Sequence, residues 1–258
     1  MTFNKIIDHL RLWCVKKGNV YDYVYQKNHD ISYVGYIFTG ELEFKLMTFV
    51  DVDFQSLVEF KHEIKSMLDK HYEPSILKPV NQLATHIIDK TTAEFIKFAD
   101  ETFDSYENMA DADITYKRAV TDKEADTLID KFRDIWGYVN TAYWYPLNGN
   151  FPEEITSKFY VMSEYAKPYL HVLELLLKMR DEHVYRYGEN DFYPPHVLEV
   201  DRFSEFEGLE MIYTDKNFSW AIYFSHEDTV AFAGSIVDMV RNLLKDEKDN
   251  FNKFIWHD

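Results

Sequence analysis

The chain has 258 residues, of which 46% are hydrophobic and 17% aromatic, and its formal net charge is −17 at pH 7. The hydrophobic share excludes an intrinsically disordered chain, and the negative charge argues against direct binding to nucleic acids or anionic membranes, because both require a basic surface. The single cysteine, Cys14, excludes a disulfide framework and a thiolate metal cluster within one chain.

The N-terminal pattern predicts a helix, three strands and a second helix. Residues 3–17 carry apolar side chains at helical spacing, and Gly18 is expected to end that helix. Alternating or apolar runs over residues 20–27, 31–39 and 42–51 predict an antiparallel three-strand meander. A helix over residues 54–71 then completes an α-β-β-β-α unit.

The remainder of the chain reads as helical and then strand-rich. Thr121-Asp-Lys-Glu124 has the spacing of a capping box and predicts the start of a helix. The other predicted elements are helices over 74–113, 168–180 and 235–244, strands at 183–187 and 210–213, and a hairpin of 219–224 with 229–233. We therefore expect an α+β fold in which an N-terminal meander and a C-terminal hairpin sheet, both antiparallel, pack with six to seven helices. Its units would be residues 1–112 and 113–258, or one compact domain.

Recognisable catalytic motifs are missing from the sequence. No glycine-rich phosphate loop, G-x-S-x-G elbow or H-E-x-x-H motif is present, so no cofactor is predicted. His226 and Glu227, in the predicted hairpin turn, are the weak candidates for an acid–base pair, and a carboxylate–histidine metal site is the other form of an enzyme hypothesis. The alternative is a structural turn in which Ser225 and Asp228 satisfy backbone donors.

The acidic residues are concentrated in two blocks. Residues 71–130 contain 13 acidic and 6 basic residues, and residues 191–258 contain 14 and 6. On a continuous helix, Asp100, Asp104, Glu107 and Asp111 would form one carboxylate row that either stays solvated or meets a cationic partner. The further candidates for partner binding are acidic or aromatic residues in predicted loops: Glu205, Phe206, Glu207, Trp144 and Tyr145. The alternative for these aromatics is a buried role under long connections.

These features predict an acidic binding protein that docks onto, or neutralises, a basic protein partner. In composition the chain resembles bacterial inhibitor and immunity-type proteins. Charged residues within the first eleven positions argue against a signal peptide, so we expect a cytoplasmic protein. Two alternatives stay open, an enzyme of unrecognised type and a structural or scaffold subunit, and the sequence does not predict an oligomeric state.

Overall fold

The computed structural model describes residues 1–28, 31–69, 82–136, 157–181, 183–188, 195–200, 210–225 and 227–253. The chain divides into two compact units, residues 1–118 and 119–258. Eight α-helices and a seven-stranded sheet lie within the described ranges. The predicted α+β class with antiparallel strands is therefore confirmed.

The first unit is built from helices around an aromatic core. Its helices are α1 (Asn4–Asn28), α2 (Ser32–Met47), α3 (Leu57–Asp69) and α4 (Gln82–Asp104), and a 3₁₀ turn, Tyr106–Asn108, follows α4. The rings of Phe3 and Phe60 stack at the centre of this core with centroids 5.0 Å apart. Phe95 is completely buried beside Trp13, with centroids 5.4 Å apart.

The predicted N-terminal meander is wrong, because residues 20–27 continue α1 and the next two predicted strands fall largely in α2. Buried side chains on α2 recur every four residues at Val34, Phe38, Leu42 and Leu46. A spacing of four satisfies the two-residue period of a strand and is close to one turn of a helix, so the sequence pattern did not separate the two. Gly18 does not end α1.

Gly18 and Gly35 instead permit close packing of α1 against α2. A Cβ atom at Gly35 would lie 2.6 Å from the Tyr21 ring, and one at Gly18 would lie 2.9 Å from Thr39 Oγ1. The Tyr21 ring cannot easily retreat, because its hydroxyl is 2.6 Å from Thr91 Oγ1 on α4. These glycines are thus selected by helix–helix contact rather than by a turn.

The second unit is a sheet covered by helices on both faces. Its strands are β1 (Lys117–Ala119, which spans the unit boundary), β2 (Lys158–Met162), β3 (His183–Gly188), β4 (His196–Glu199), β5 (Met211–Thr214), β6 (Trp220–Ser225) and β7 (Thr229–Gly234). Their order is β1-β4-β3-β5-β6-β7-β2. All six residues of β6 are buried, as expected for a central strand covered on both sides.

Alternate residues of β6 enter two separate cores. Ala221 and Tyr223 pack against α5 (Asp122–Trp136) through Phe132 and its neighbours. Trp220 and Ile222 face the opposite side. That side is covered by α6 (Ser163–Ala166), α7 (Leu170–Lys178) and α8 (Val237–Leu243).

Two local predictions in this unit are confirmed. The backbone N–H of Thr121 donates to Glu124 Oε2 at 2.9 Å, and the N–H of Glu124 donates to Thr121 Oγ1 at 3.3 Å, which is a capping box at the start of α5. The predicted hairpin is present as β6 and β7, with Ser225 opposite Thr229 at the turn.

The outer edge of β2 is closed by the segment that follows α8. The backbone N–H of Asn252 donates to the Tyr160 carbonyl at 2.9 Å, and Asn252 Oδ1 accepts from the Tyr160 N–H at 3.1 Å. One asparagine therefore satisfies both outward-facing backbone groups of an edge-strand residue.

The glycine contacts lead to opposite expectations for two alanine substitutions in α2. Gly35→Ala should lower the free energy of unfolding by about 1–3 kcal/mol, because the new methyl group overlaps the Tyr21 ring. Gly40→Ala should raise it by about 0.5–1 kcal/mol, because a Cβ there meets nothing within 4 Å and alanine favours the helix. Urea denaturation followed by circular dichroism measures both changes. Equal effects at the two positions would contradict the close α1–α2 contact.

Candidate functional site

The predicted carboxylate row lies along α4 and the turn after it, but it is not one helical stripe. Asp100 and Asp104 are in the last turns of α4, Glu107 is in the 3₁₀ turn, and Asp111 is in the extended chain beyond it. The helix ends at Asp104, so the spacing of the last two carboxylates is set by the turn. All four residues belong to the first unit.

Lysines of the same unit approach three of these four carboxylates. The Nζ atoms of Lys65 and Lys61, on α3, lie 3.3 Å from Asp100 Oδ1 and 3.6 Å from Asp104 Oδ1. Lys5 Nζ, on α1, lies 3.2 Å from Asp111 Oδ1. The local negative field is therefore weaker than the sequence count of acidic residues suggests.

These ion pairs are shallow. The side chain of Asp104 is 82% exposed and that of Asp111 is 95% exposed. Exposed pairs of this kind typically contribute about 0–1 kcal/mol, because water and salt screen them and two long side chains lose freedom. The carboxylates thus remain accessible to a cation from another molecule.

A groove on the outward side of α1 is a feature that the sequence reasoning did not find. It has a volume of about 480 Å³ and is formed by α1 and α4. Its lining residues are His9, Leu12, Trp13, Lys16, Lys17, Val20 and Phe98. The sequence does contain a signal for this groove: its α1 residues recur every three or four positions, and this helical spacing continues past Gly18 to Val20.

The floor of this groove is aromatic and its rim carries cations. The Trp13 and Phe98 rings are stacked with centroids 6.1 Å apart. Lys17 Nζ lies 2.5 Å from Glu94 Oε2, and His9 Nε2 donates a hydrogen bond to the Ala110 carbonyl at 2.9 Å. Within the part of the chain that is described, Lys16 has no carboxylate at ion-pair distance.

The turn between β6 and β7 has one described feature that bears on catalysis. The backbone N–H of Glu227 donates to Ser225 Oγ at 3.1 Å, so the serine hydroxyl oxygen caps the turn. His226 lies outside the described residues, and the predicted His226–Glu227 acid–base pair stays a prediction. In the described ranges, no three His, Cys, Asp or Glu side chains are grouped so that they could hold a metal ion.

Five of the predicted partner-binding residues are also outside the described ranges: Glu205, Phe206, Glu207, Trp144 and Tyr145. Their role therefore stays a prediction from sequence. A different apolar stripe is visible on α7, where Val172, Leu175 and Met179 are exposed at i, i+3 and i+7.

Cys14 lies in the core of the first unit. Burial raises the pKa of its thiol far above the ordinary value, the nearby Glu43 raises it further, and Arg11 opposes the shift. A thiol acts as a nucleophile or a metal ligand through its thiolate form, which this environment suppresses. Cys14 is therefore a packing residue, as its position on the helical pattern predicted.

In comparisons with known proteins, no family model, no curated protein and no solved structure matches the chain. Among the described helices, none combines the length and the apolar character that crossing a bilayer requires.

The state of Cys14 leads to a direct chemical expectation. The native protein should react with a soluble aromatic disulfide reagent at pH 8 about 100-fold more slowly than the protein unfolded in guanidinium chloride, because the buried thiol stays protonated and covered. Release of the reagent's chromophore measures both rates. A native rate equal to the unfolded rate would show that the thiol is accessible.

Proposed function

We propose that this chain is a cytoplasmic binding protein that docks onto a basic protein partner through the carboxylates of α4 and the following turn. The observation that supports this function is the exposure of Asp104, Glu107 and Asp111, each at the surface and held at most by a lysine of the same chain. An acidic surface of this kind steers a basic partner into encounter and speeds association at low salt.

The lysines on α3 are the groups that such a partner would replace. Lys61 and Lys65 reach their carboxylates at 3.6 Å and 3.3 Å, across surface where the pairs are weak. An arginine from a partner offers a planar guanidinium that can bind a carboxylate through two parallel hydrogen bonds, which a lysine cannot do. Replacing an internal lysine by a partner's arginine at the carboxylate therefore costs little free energy and adds directional hydrogen bonds.

This exchange makes Lys61 and Lys65 internal competitors of the partner. While they occupy Asp104 and Asp100, they screen the row from distant cations and lower the affinity for any basic protein. The same screening limits non-specific attraction, because only a partner whose cations match the row recovers the lost pairs. If removal of the two lysines increases the affinity for a basic partner, the row is a docking surface; if the affinity does not change, the row is only a solvated face.

More specifically, we propose that binding of this chain neutralises its partner. Proteins that bind nucleic acids present clusters of Lys and Arg to phosphates. A carboxylate row that covers such a cluster blocks the nucleic acid by direct competition. The predicted set at Glu205, Phe206 and Glu207 would extend the surface with an apolar anchor ringed by acids.

Opposite charge changes on α3 and α4 test the proposal. Asp104→Asn with Glu107→Gln should reduce capture of basic proteins from a lysate, and Lys61→Gln with Lys65→Gln should increase capture, because the second change exposes the row. Capture on immobilised protein, in about 50 mM and about 500 mM salt, followed by mass spectrometry, gives the partner and its salt dependence. We expect changes of about tenfold in the affinity for the captured partner.

A matched control separates the site from net charge. Asp126→Asn with Asp134→Asn removes two exposed carboxylates from α5 in the second unit and should leave capture unchanged. If this control weakens binding as much as the change at Asp104 and Glu107, only total charge matters and the α4 surface is not the docking site.

A further inference from the structure

The outward face of α1 continues the groove as a long apolar strip with cations along it. Beyond Leu12 and Trp13, the strip includes Val20, which is 57% exposed, and Tyr23, which is 60% exposed. Lys27 Nζ lies over the Tyr23 ring at 4.3 Å from its centroid. From residue 9 to residue 27 this face is about 27 Å long at 1.5 Å per residue. Val20 and Tyr23 extend the apolar surface of the groove along α1, and continuous apolar surface marks an interaction site where isolated exposed side chains do not.

We propose that this groove binds an acidic amphipathic helix of a partner protein. A helix of about 18 residues matches the length of the strip, and its apolar side chains at i, i+3 or i+4, and i+7 would enter between Trp13, Phe98 and Val20. Its Asp and Glu side chains would lie beside Lys16, which lines the groove, and beside Lys27 at the far end of the strip; neither lysine has a carboxylate at ion-pair distance among the described residues.

The charge of α1 supports an acidic occupant. Residues 1–28 contain five Lys and Arg residues. Arg11 is buried, and Lys5 and Lys17 are paired with Asp111 and Glu94, so Lys16 and Lys27 are the two without a carboxylate at ion-pair distance among the described residues. Of the cations that line the groove, Lys17 is already paired with Glu94, which leaves Lys16 as the cation available to the partner near Trp13. Complementary charge at the rim sets the orientation and the rate of docking, and the apolar floor supplies most of the affinity.

Two other occupants fit less well. A second copy of the chain related by a two-fold axis would place Lys16 and Lys27 of one copy near the same residues of the other, and like charges across an interface are unfavourable. An anionic membrane surface is flat, while Leu12 and Trp13 lie in a groove, so a flat surface reaches these side chains less well than a convex helix does. A convex, acidic helix satisfies both the shape and the charge.

This inference does not rest on the proposed function. The groove shares no lining residue with the α4 carboxylate row, which it approaches at His9 through the bond to Ala110 beside Asp111, and its occupant is acidic whereas the partner of the row is basic. Variants of one surface leave the other intact, so the failure of either proposal is recognised separately.

A designed peptide probes the groove directly. The probe is a labelled 20-residue helix without tryptophan, with leucine at i, i+3, i+7, i+10 and i+14 and glutamate at most other positions, and fluorescence anisotropy measures its dissociation constant on the full chain. We expect binding that becomes at least about tenfold weaker with Lys16→Glu plus Val20→Glu, because the change adds repulsion and a charge to the apolar strip. A peptide with lysine in place of each glutamate, measured on the chain with Asp104→Asn and Glu107→Gln so that the acidic surface does not capture it, should bind at least about tenfold more weakly than the acidic probe.

Two control variants show whether the loss of peptide binding is specific to the groove, and vesicles and light scattering test the other two occupants. Val58→Glu on α3, at a side chain that is 76% exposed, and Lys123→Glu on α5 make the same chemical changes elsewhere and should leave peptide binding unchanged. Circular dichroism checks that each variant is folded. The proposal is overturned if the acidic peptide does not bind, if the groove and control variants behave alike, or if the chain prefers vesicles of anionic lipid to the peptide. It is also overturned if light scattering shows a dimer that Lys16→Glu plus Val20→Glu dissociates.

Discussion

Arg11 holds a full positive charge in the interior of the first unit, where its side chain has no exposed surface. Its guanidinium lies 3.2 Å from Asp8 and 3.4 Å from Glu43, and it donates to the Thr115 carbonyl at 3.0 Å. A buried charge that lost these partners would be strongly destabilising. The rotation of α1 about its axis is therefore fixed, because any other rotation would separate Arg11 from α2 and from the segment that carries Thr115.

That rotation determines what the first unit presents to solvent. With Arg11 turned inward, Lys16 and Val20 fall on the opposite side of the helix and form the groove with α4. Three of the four carboxylates of α4 and its following turn are paired, with Lys61 and Lys65 of α3 and with Lys5. One small helical unit thus carries two chemically different surfaces, and the net charge of the chain describes neither of them. Local pairing, rather than composition, decides which partner each surface suits.

Local signals allowed much of the second unit to be predicted. The capping box at Thr121 and the alternating strands on either side of Ser225 each lie within a few residues, and their geometry follows from short-range bonds. The helices predicted over residues 3–17 and 54–71 are present in α1 and α3, but the predicted meander between them failed, because Leu42 and Leu46 fit both periods and packing against α1 at Gly35 favours the helix. The ion pairs of the carboxylate row and the groove could not be predicted for a similar reason: Lys61 and Lys65 reach α4 from another helix, and Phe98 meets Trp13 from 85 positions away in the sequence.

The bonds between Asn252 and Tyr160 bear on how copies of this protein coexist at high concentration. An edge strand with free amide and carbonyl groups is a template on which a foreign strand can add, and repeated addition builds a fibril. Here the outward-facing amide and carbonyl of Tyr160, in the middle of β2, are already occupied by the chain's own side chain and backbone, and the strand at the other end, β1, has only three residues. Addition of a foreign strand across Tyr160 therefore needs Asn252 to detach first, which hinders edge-to-edge growth at that position.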